Sequence, residues 1–300
     1  MLCKPRYNEQ VINIYIMSQS VLVLGAKGTL GQELVNTFTT AGYTVTAWDR
    51  ENLDITAPEA KAAILSLSPN VILNATGYNA VDKAESDPAA KELAFALNTH
   101  APEMLAEAAK ELGAVFVNYS TDFVFKGDRK EGYLEIDEPN PVSAYGQSKA
   151  EGEKRVQAVG GKYYIIRLSR LFGKPGISEM SKKSFVDIMK DKQNLETADL
   201  VNEESGSPTY APDLAQFTLS LIKDLPAFGI YHGANSGQCN WYEWALEIFR
   251  LLNSSVKVNP ISGVAMNRPA ERPQFSALVN TKRPAQRSWQ EALQEYLLSQ

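Results

Sequence analysis

From Val21 onward, short apolar runs rich in β-branched residues alternate with stretches of helical periodicity, and this alternation limits the fold more than any other feature of the chain. Val21-Leu22-Val23-Leu24 is apolar at consecutive positions, as a strand covered on both faces requires. It stops at Gly25, after which Leu30, Leu34, Val35 and Phe38 recur at helical spacing up to Gly42. Residues 43–48 predict a second strand, 57–67 a helix with Pro58 in its first turn, and 71–73 a third strand. A helical stretch over 88–112, interrupted near Pro102, precedes strands at 114–119 and 163–168. Strands and helices in this order, joined by right-handed crossovers, predict an α/β protein built on a Rossmann-type doubly wound parallel sheet.

Beyond Leu171 the rhythm changes. Residues 185–192, 212–223 and 241–252 predict helices separated by loops rich in Gly, Pro, Ser and Asn, with one more strand at 229–232. The chain therefore divides into a dinucleotide-binding domain over 19–170 and a smaller α/β lobe, mainly substrate-binding, over 171–300. The boundary is soft, because chains of this type cross back between lobes. Residues 1–18 hold Lys4, Arg6 and a short apolar patch broken by Asn13, and read as an extension outside the core, with Met17 an alternative initiator.

Composition removes several functions. Thirty Lys and Arg against 35 Asp and Glu give a net charge of −5, which lacks the clustered cationic excess of a nucleic-acid binder. No apolar run reaches the roughly 18–20 residues that span a bilayer. Cys3 and Cys239 make no disulfide framework and no CxxC site, and His100 and His232 are not spaced as metal ligands. No metal is expected, Glu33 being read as a surface helical residue. A reducing cytoplasm and a monomer or homodimer are expected.

Gly25-Ala-Lys-Gly28-Thr-Leu-Gly31 lies between the first strand and the first helix. Glycine there lets the backbone approach a pyrophosphate, and the amides of Thr29, Leu30 and Gly31 then sit at a helix N-terminus with its positive dipole end. Asp49, 18 residues past Gly31, closes the second strand where an acid bonds the adenosine ribose of NAD. Arg50 follows it and suits the 2′-phosphate of NADP, a side to which Lys27 adds. The neighbours point to different cofactors; the balance leans to NADPH, with NADH second.

Tyr145-Gly-Gln-Ser-Lys149 places a phenol and an ammonium on one helical face. A cation near the phenol favours phenolate and lowers its pKa from about 10, so that Tyr145 can hand a proton to a nascent alkoxide. Thr121, 24 residues earlier, closes the fourth strand, at the end of the sheet where ligands bind, and its hydroxyl suits a carbonyl oxygen. Taken alone, each signal also fits a surface pair or a strand-end turn; their order is that of an extended short-chain dehydrogenase.

The chain resembles the dTDP-4-dehydrorhamnose reductases. The resemblance rests on Leu53-Asp-Ile-Thr56, Asn74-Ala-Thr-Gly-Tyr78, Ala80-Val-Asp-Lys-Ala-Glu85 and Asn98. It continues through Ser120-Thr-Asp-Phe-Val-Phe125, the Tyr145–Lys149 motif, Arg167-Leu-Ser169, Gly206-Ser-Pro-Thr-Tyr-Ala211, Gly229-Ile-Tyr-His232, Trp241-Tyr-Glu243 and Arg272-Pro273. It implies reduction of the 4-keto group of a dTDP-linked deoxysugar by NAD(P)H, with Tyr145 the proton donor, Thr121 orienting the carbonyl and Lys149 holding the nicotinamide ribose. Asp54 and Ile55 would flank the adenine, Ala75, Thr76, Gly77 and Tyr78 the middle of the cofactor. Val81, Thr121, Asp122, Arg170 and Arg272 would meet the nucleotide-sugar, Arg272 at its diphosphate.

One departure bears on the sugar. Arg170 follows Arg167-Leu-Ser169 where the family usually has Trp, and a cation there suits an acidic or differently substituted sugar, or faces solvent. An epimerase or dehydratase on the same scaffold, and a non-catalytic regulatory subunit, are the rival readings. The cluster Arg268, Arg272, Lys282, Arg283 and Arg287 is expected to be mostly a solvated face.

Overall fold

A computed structural model describes residues 19–178 and 181–299 of the chain. The extension expected over 1–18 lies outside the described residues.

The first half alternates as its sequence pattern requires. β1 (Ser20–Leu24) leads into α1 (Thr29–Thr40), then β2 (Thr44–Trp48), α2 (Ala60–Leu67) and β3 (Val71–Asn74). Pro58 falls in the turn before α2 rather than in its first turn, because the helix starts only at Ala60. After β3 come α3 (Val81–Ser86) and α4 (Pro88–Phe95), the latter capped by Asp87, whose carboxylate accepts the Ala89 amide at 3.0 Å. The expected break in the long helical stretch is a π-helical turn, Ala96–His100, lying just ahead of Pro102. It continues into α5 (Ala101–Leu112), and an extra residue of this kind re-aims the side chains around it, Asn98 among them. Then follow β4 (Val115–Thr121), α6 (Ala144–Val159) and β5 (Lys162–Leu168).

The second half opens with β6 (Leu171–Phe172), α7 (Phe185–Asp191), β7 (Thr197–Val201), β8 (Ser205–Gly206), β9 (Thr209–Tyr210) and α8 (Ala211–Asp224). It ends with β10 (Gly229–His232), β11 (Cys239–Asn240), α9 (Trp241–Leu251), β12 (Lys257–Ile261) and α10 (Trp289–Leu298).

Six strands form one sheet in the order β10-β5-β4-β3-β1-β2, every pair parallel. Its order reverses between β1 and β3, so the carboxyl ends of β1, β3 and β4 flank a crevice, where open α/β sheets bind ligands. One face is covered by α1 and α8, with Leu34, Phe38, Leu214 and Leu221 packed on Val21, Val23 and Val117. The other is covered by α2, α5 and α6, with Ile64, Leu105 and Val156 packed on Leu22, Ile72 and Phe116. Strand β10 and helix α8, both beyond residue 170, thus belong to the main sheet and its cover. A separate core gathers Phe172, Val186, Trp244, Ile248, Leu293 and Tyr296 from the remaining C-terminal elements. Among the described residues no helix is long and apolar enough to cross a membrane.

Candidate active site

Thr121 closes β4 and is followed by a 3₁₀ turn, Asp122–Val124, whose Phe123 amide donates to Thr121 Oγ1 at 3.2 Å. Helix α6 starts nearby, with Ser143 as its cap: Ser143 Oγ accepts the Gly146 amide at 3.2 Å. Gly146 lets the helix close on the turn, since a Cβ there would stand 2.3 Å from the Phe123 carbonyl oxygen. That close approach seats Tyr145 edge-on to Phe123, ring centroids 5.6 Å apart, with its phenol beside the Thr121 hydroxyl. One turn on, Lys149 Nζ donates to the Tyr119 carbonyl at 3.1 Å. The fold therefore brings Thr121, Tyr145 and Lys149 together, all three at least nine-tenths buried.

Their electrostatics differ from the expectation. Burial pushes the Tyr145 phenol up to about 12, against the opposing pull of the Thr121 hydroxyl, and a negative charge on Asp122 would push the same way as burial. Lys149 does not lower it here, because its ammonium is turned to the Tyr119 carbonyl and is itself brought down to about 8 by burial, with Glu153 opposing. Tyr145 is thus held as a neutral phenol, a proton donor by default.

The glycine loop fits a dinucleotide. Gly25 has φ +76°, and a Cβ on it would stand 2.9 Å from the Ala75 backbone. A Cβ on Gly31 would stand 2.0 Å from the Gly25 carbonyl oxygen. Gly28 caps α1 without a side-chain bond, so the leading amides of Thr29, Leu30 and Gly31 face the loop, while the Leu30 side chain packs in the core. Gly77 lets its loop pack closely on α6 and Asn98: a Cβ there would meet Lys149 Nζ at 2.9 Å and Asn98 Oδ1 at 3.1 Å. The tight turn these glycines permit, with the free amides of Thr29, Leu30 and Gly31 at its rim, is the cradle that a nicotinamide dinucleotide laid across the crevice needs.

Around it, Thr76 Oγ1 donates to Asn74 Oδ1 at 2.5 Å, and Asn98 clamps the Tyr78 backbone at both N–H (2.9 Å) and C=O (3.0 Å). Asn98 also donates to Ser148 Oγ at 3.0 Å, tying the Ala75–Tyr78 loop to α6. At the end of β2, the Asp49 carboxylate accepts the amides of Lys27 (2.9 Å) and Arg50 (2.8 Å), so its own chain already uses both oxygens. A cavity of about 450 Å³ opens there between α1 and β2, lined by Lys27, Asn36, Asp49 and Asn52 among others. Arg50 is exposed, 3.7 Å from Asp54. Asp54 is otherwise bound to the Thr56 amide and hydroxyl, and Ile55 is a core residue.

On the other side of Tyr145, Asp122 is buried under hydroxyls: Ser169 Oγ at 2.8 Å and Ser276 Oγ at 2.6 Å donate to Oδ2, and Thr121 Oγ1 is hydrogen-bonded to Oδ1 at 3.1 Å. Arg170 (φ +49°) neither faces open solvent nor stands unpaired. Its guanidinium donates to the carbonyls of Cys239 and Glu204, both at 2.7 Å, and lies 4.0 Å from the Trp241 ring, whose Nε1 donates to Glu204 Oε2 at 3.1 Å. Val81 heads α3, and beside it Asp82 holds Arg272 through two bonds of 2.6 and 2.7 Å. The C-terminal arginines are paired rather than solvated: Arg268 with Glu204, Arg283 with Asp224, and Arg287 with Asp213 and Glu295. Ser148 and Ser169 stood in the sequence only as members of their motifs and Arg268 only in the basic cluster; their bonding partners, like those of Glu204 and Ser276, lie far along the chain and were not readable from it. Among the described residues no group of three or more His, Cys, Asp or Glu stands together as a metal site.

Residues 19–300 match the family model described as RmlD substrate binding domain. The chain belongs to the dTDP-4-dehydrorhamnose reductase family. It is 36% identical to a dTDP-4-dehydrorhamnose reductase of Streptomyces griseus over 286 residues, 91% of each chain. It is equally identical to a probable dTDP-4,6-dihydroxy-2-methyloxan-3-one 4-ketoreductase of Streptomyces antibioticus, over 91% of this chain and 93% of that one. The crystal structure of a Bacillus anthracis dTDP-4-dehydrorhamnose reductase in complex with NADP superposes with a TM-score of 0.87, at 33% identity, covering 94% of this chain and all of that one. Family membership makes the chain a nicotinamide-dependent oxidoreductase, and the glycine cradle is the feature of this structure that accords with it.

Proposed function

We propose that this protein reduces the 4-keto group of a dTDP-linked deoxysugar with NADPH, NADH serving second, and that dTDP-4-dehydro-L-rhamnose is its substrate. The observation that carries the reading is a buried, neutral Tyr145 set between Thr121 and Lys149 at the carboxyl ends of the sheet, beneath a dinucleotide cradle. When bound, the dihydronicotinamide supplies hydride to the carbonyl carbon. Tyr145 gives its proton to the carbonyl oxygen as negative charge develops there, and Thr121 orients that oxygen. Lys149 holds the nicotinamide ribose.

Gly25, Lys27, Gly28, Thr29, Leu30 and Gly31 hold the pyrophosphate side of the cofactor, and Ala75, Thr76, Gly77 and Tyr78 its middle. Asp49, Arg50, Asp54 and Ile55 border the adenosine, with Arg50 free of a short bond and able to take the 2′-phosphate. Arg272 and Val81 meet the nucleotide-sugar. Residues 19–170 make most of the dinucleotide-binding part and 171–300 most of the substrate lobe, in a cytoplasmic monomer or homodimer.

A second sugar is favoured by Arg170. In place of an indole at that position this chain has a guanidinium stacked on Trp241, and the Streptomyces antibioticus relative carries the name of a reductase for a different 4-keto sugar. Purified protein offered a panel of 4-keto nucleotide-sugars with either cofactor decides between them. NADPH absorbance falls with the true substrate, and Tyr145→Phe lowers kcat by about 100-fold or more while NADPH still binds. No oxidation with any member of the panel, together with tight co-purification of another protein, overturns the enzyme reading in favour of a regulatory subunit.

A further inference from the structure

Thr121 has one hydroxyl proton, and its two neighbours limit where that proton can point. Thr121 Oγ1 accepts the Phe123 amide at 3.2 Å and faces Asp122 Oδ1 at 3.1 Å. If Asp122 is a carboxylate, it can only accept, so the proton points at Asp122 and Thr121 offers the site only a lone pair. A lone pair cannot hold a substrate carbonyl oxygen, and it would draw the Tyr145 proton away from the substrate. The role given to Thr121 under the proposed function requires the opposite polarity.

Asp122 itself supplies it. Its other oxygen, Oδ2, takes two donors, Ser169 Oγ at 2.8 Å and Ser276 Oγ at 2.6 Å, the second far closer to it than to the Ser205 carbonyl at 3.4 Å, which leaves Oδ1 as the place for a proton. We propose that Asp122 is a positioning residue that works as a neutral carboxylic acid, donating from Oδ1 to Thr121 Oγ1 and turning the Thr121 hydroxyl proton towards the substrate carbonyl.

The surroundings support the neutral form. Asp122 is 3% exposed and burial raises its pKa, outweighing the hydroxyl bonds and the charge of Arg170. The titratable and charged groups about it are Tyr145 on α6, whose ionisation it opposes, and Arg170 after β5, which favours the carboxylate but spends two donors on the Cys239 and Glu204 carbonyls. Lys149, also on α6, is bonded to the Tyr119 carbonyl. Ser169 and Ser276 bring no charge. No net proton transfer is involved, only the direction of one hydrogen bond.

Asp122→Asn fixes that direction permanently, because its amide N–H₂ donates to Thr121 and its carbonyl accepts from the two serines. The test rests on the proposed function for turnover but not for the second readout. With the panel's best substrate, Asp122→Asn is expected to keep kcat within about fivefold of wild type at neutral pH. Asp122→Ala is expected to lose about 100-fold at every pH. Infrared spectra at neutral pH should show a protonated-carboxyl C=O band in wild type that is absent from Asp122→Asn. The proposal is overturned if Asp122→Asn is as inactive as Asp122→Ala, or if wild type has no such band at neutral pH. A wild type that turns over no substrate defeats the reductase reading instead, and the infrared band still decides the state of Asp122.

Discussion

Lys149 carries a charge whose burial is unfavourable to the fold and useful to the chemistry. Its pKa falls from 10.5 to about 8, burial being the cause and Glu153 the partial remedy. Between those two values the unfolded chain holds the proton and the folded chain does not, so the stability attributable to Lys149 rises with pH from about 8 to about 10.5. Below about 8 both states hold it and the cost is complete. Lys149→Met should therefore stabilise the cofactor-free protein near pH 7 by about 2 kcal/mol, with the gain fading towards pH 10, while activity is lost. Urea unfolding at a series of pH values reads this directly, and a variant less stable than wild type at pH 7 would show that the bond to the Tyr119 carbonyl outweighs desolvation. Tyr145 and Lys149 were legible because i,i+4 spacing alone puts them on one face. Their pKa values were not, because these depend on how deeply α6 sinks against β4.

At the scale of elements, the catalytic helix is held by one buried ion pair. Arg167 on β5 gives Nε to Glu153 Oε1 at 3.0 Å and Nη2 to Glu153 Oε2 at 2.7 Å, both side chains at most 1% exposed, with Phe125 stacked 4.8 Å from the guanidinium. Glu153 lies one turn beyond Lys149, so this contact sets how far α6 slides along the sheet. Removing one partner leaves the other charge buried alone, and Glu153→Ala should cost about 3–5 kcal/mol. Chemical denaturation measures it; a loss below about 1 kcal/mol would mean that water or the helix relaxes to solvate Arg167. Strand and helix order were readable because the apolar pattern repeats locally. The π turn at Ala96–His100 was seen only as an interruption, since its cause is tertiary: Gly152 is so close that a Cβ would stand 2.0 Å from the Asn98 carbonyl oxygen. The pocket behind Thr121 was hidden for a similar reason, Ser169 and Ser276 lying 47 and 154 residues from Asp122.

Across the whole molecule, the two halves of the chain are joined at the mouth of the crevice by Asp82 and Arg272, 190 residues apart. The Arg272 side chain is 14% exposed and the Asp82 side chain 41%, so the pair is wet on the acid's side and worth little as stability. Its consequence is positional. A long arginine fixed by a bidentate acid, with a further bond to the Ala270 carbonyl at 2.6 Å, would meet the diphosphate of the proposed substrate without first losing its rotamer freedom. Arg272→Ala should then raise KM for the nucleotide-sugar by about tenfold or more, and Asp82→Asn by a smaller factor, with NADPH affinity unchanged in both. Asp82 is held below the usual carboxylate range, chiefly by its bond to Arg272, so it stays ionised until the pH falls through that lowered value. Weakening of nucleotide-sugar binding through Asp82 should accordingly appear only below about pH 4 in wild type, and be absent from Asp82→Asn. Calorimetric titration with dTDP tests both statements. If Arg272→Ala binds dTDP as wild type does, the pair only braces the two halves, and the diphosphate is held elsewhere.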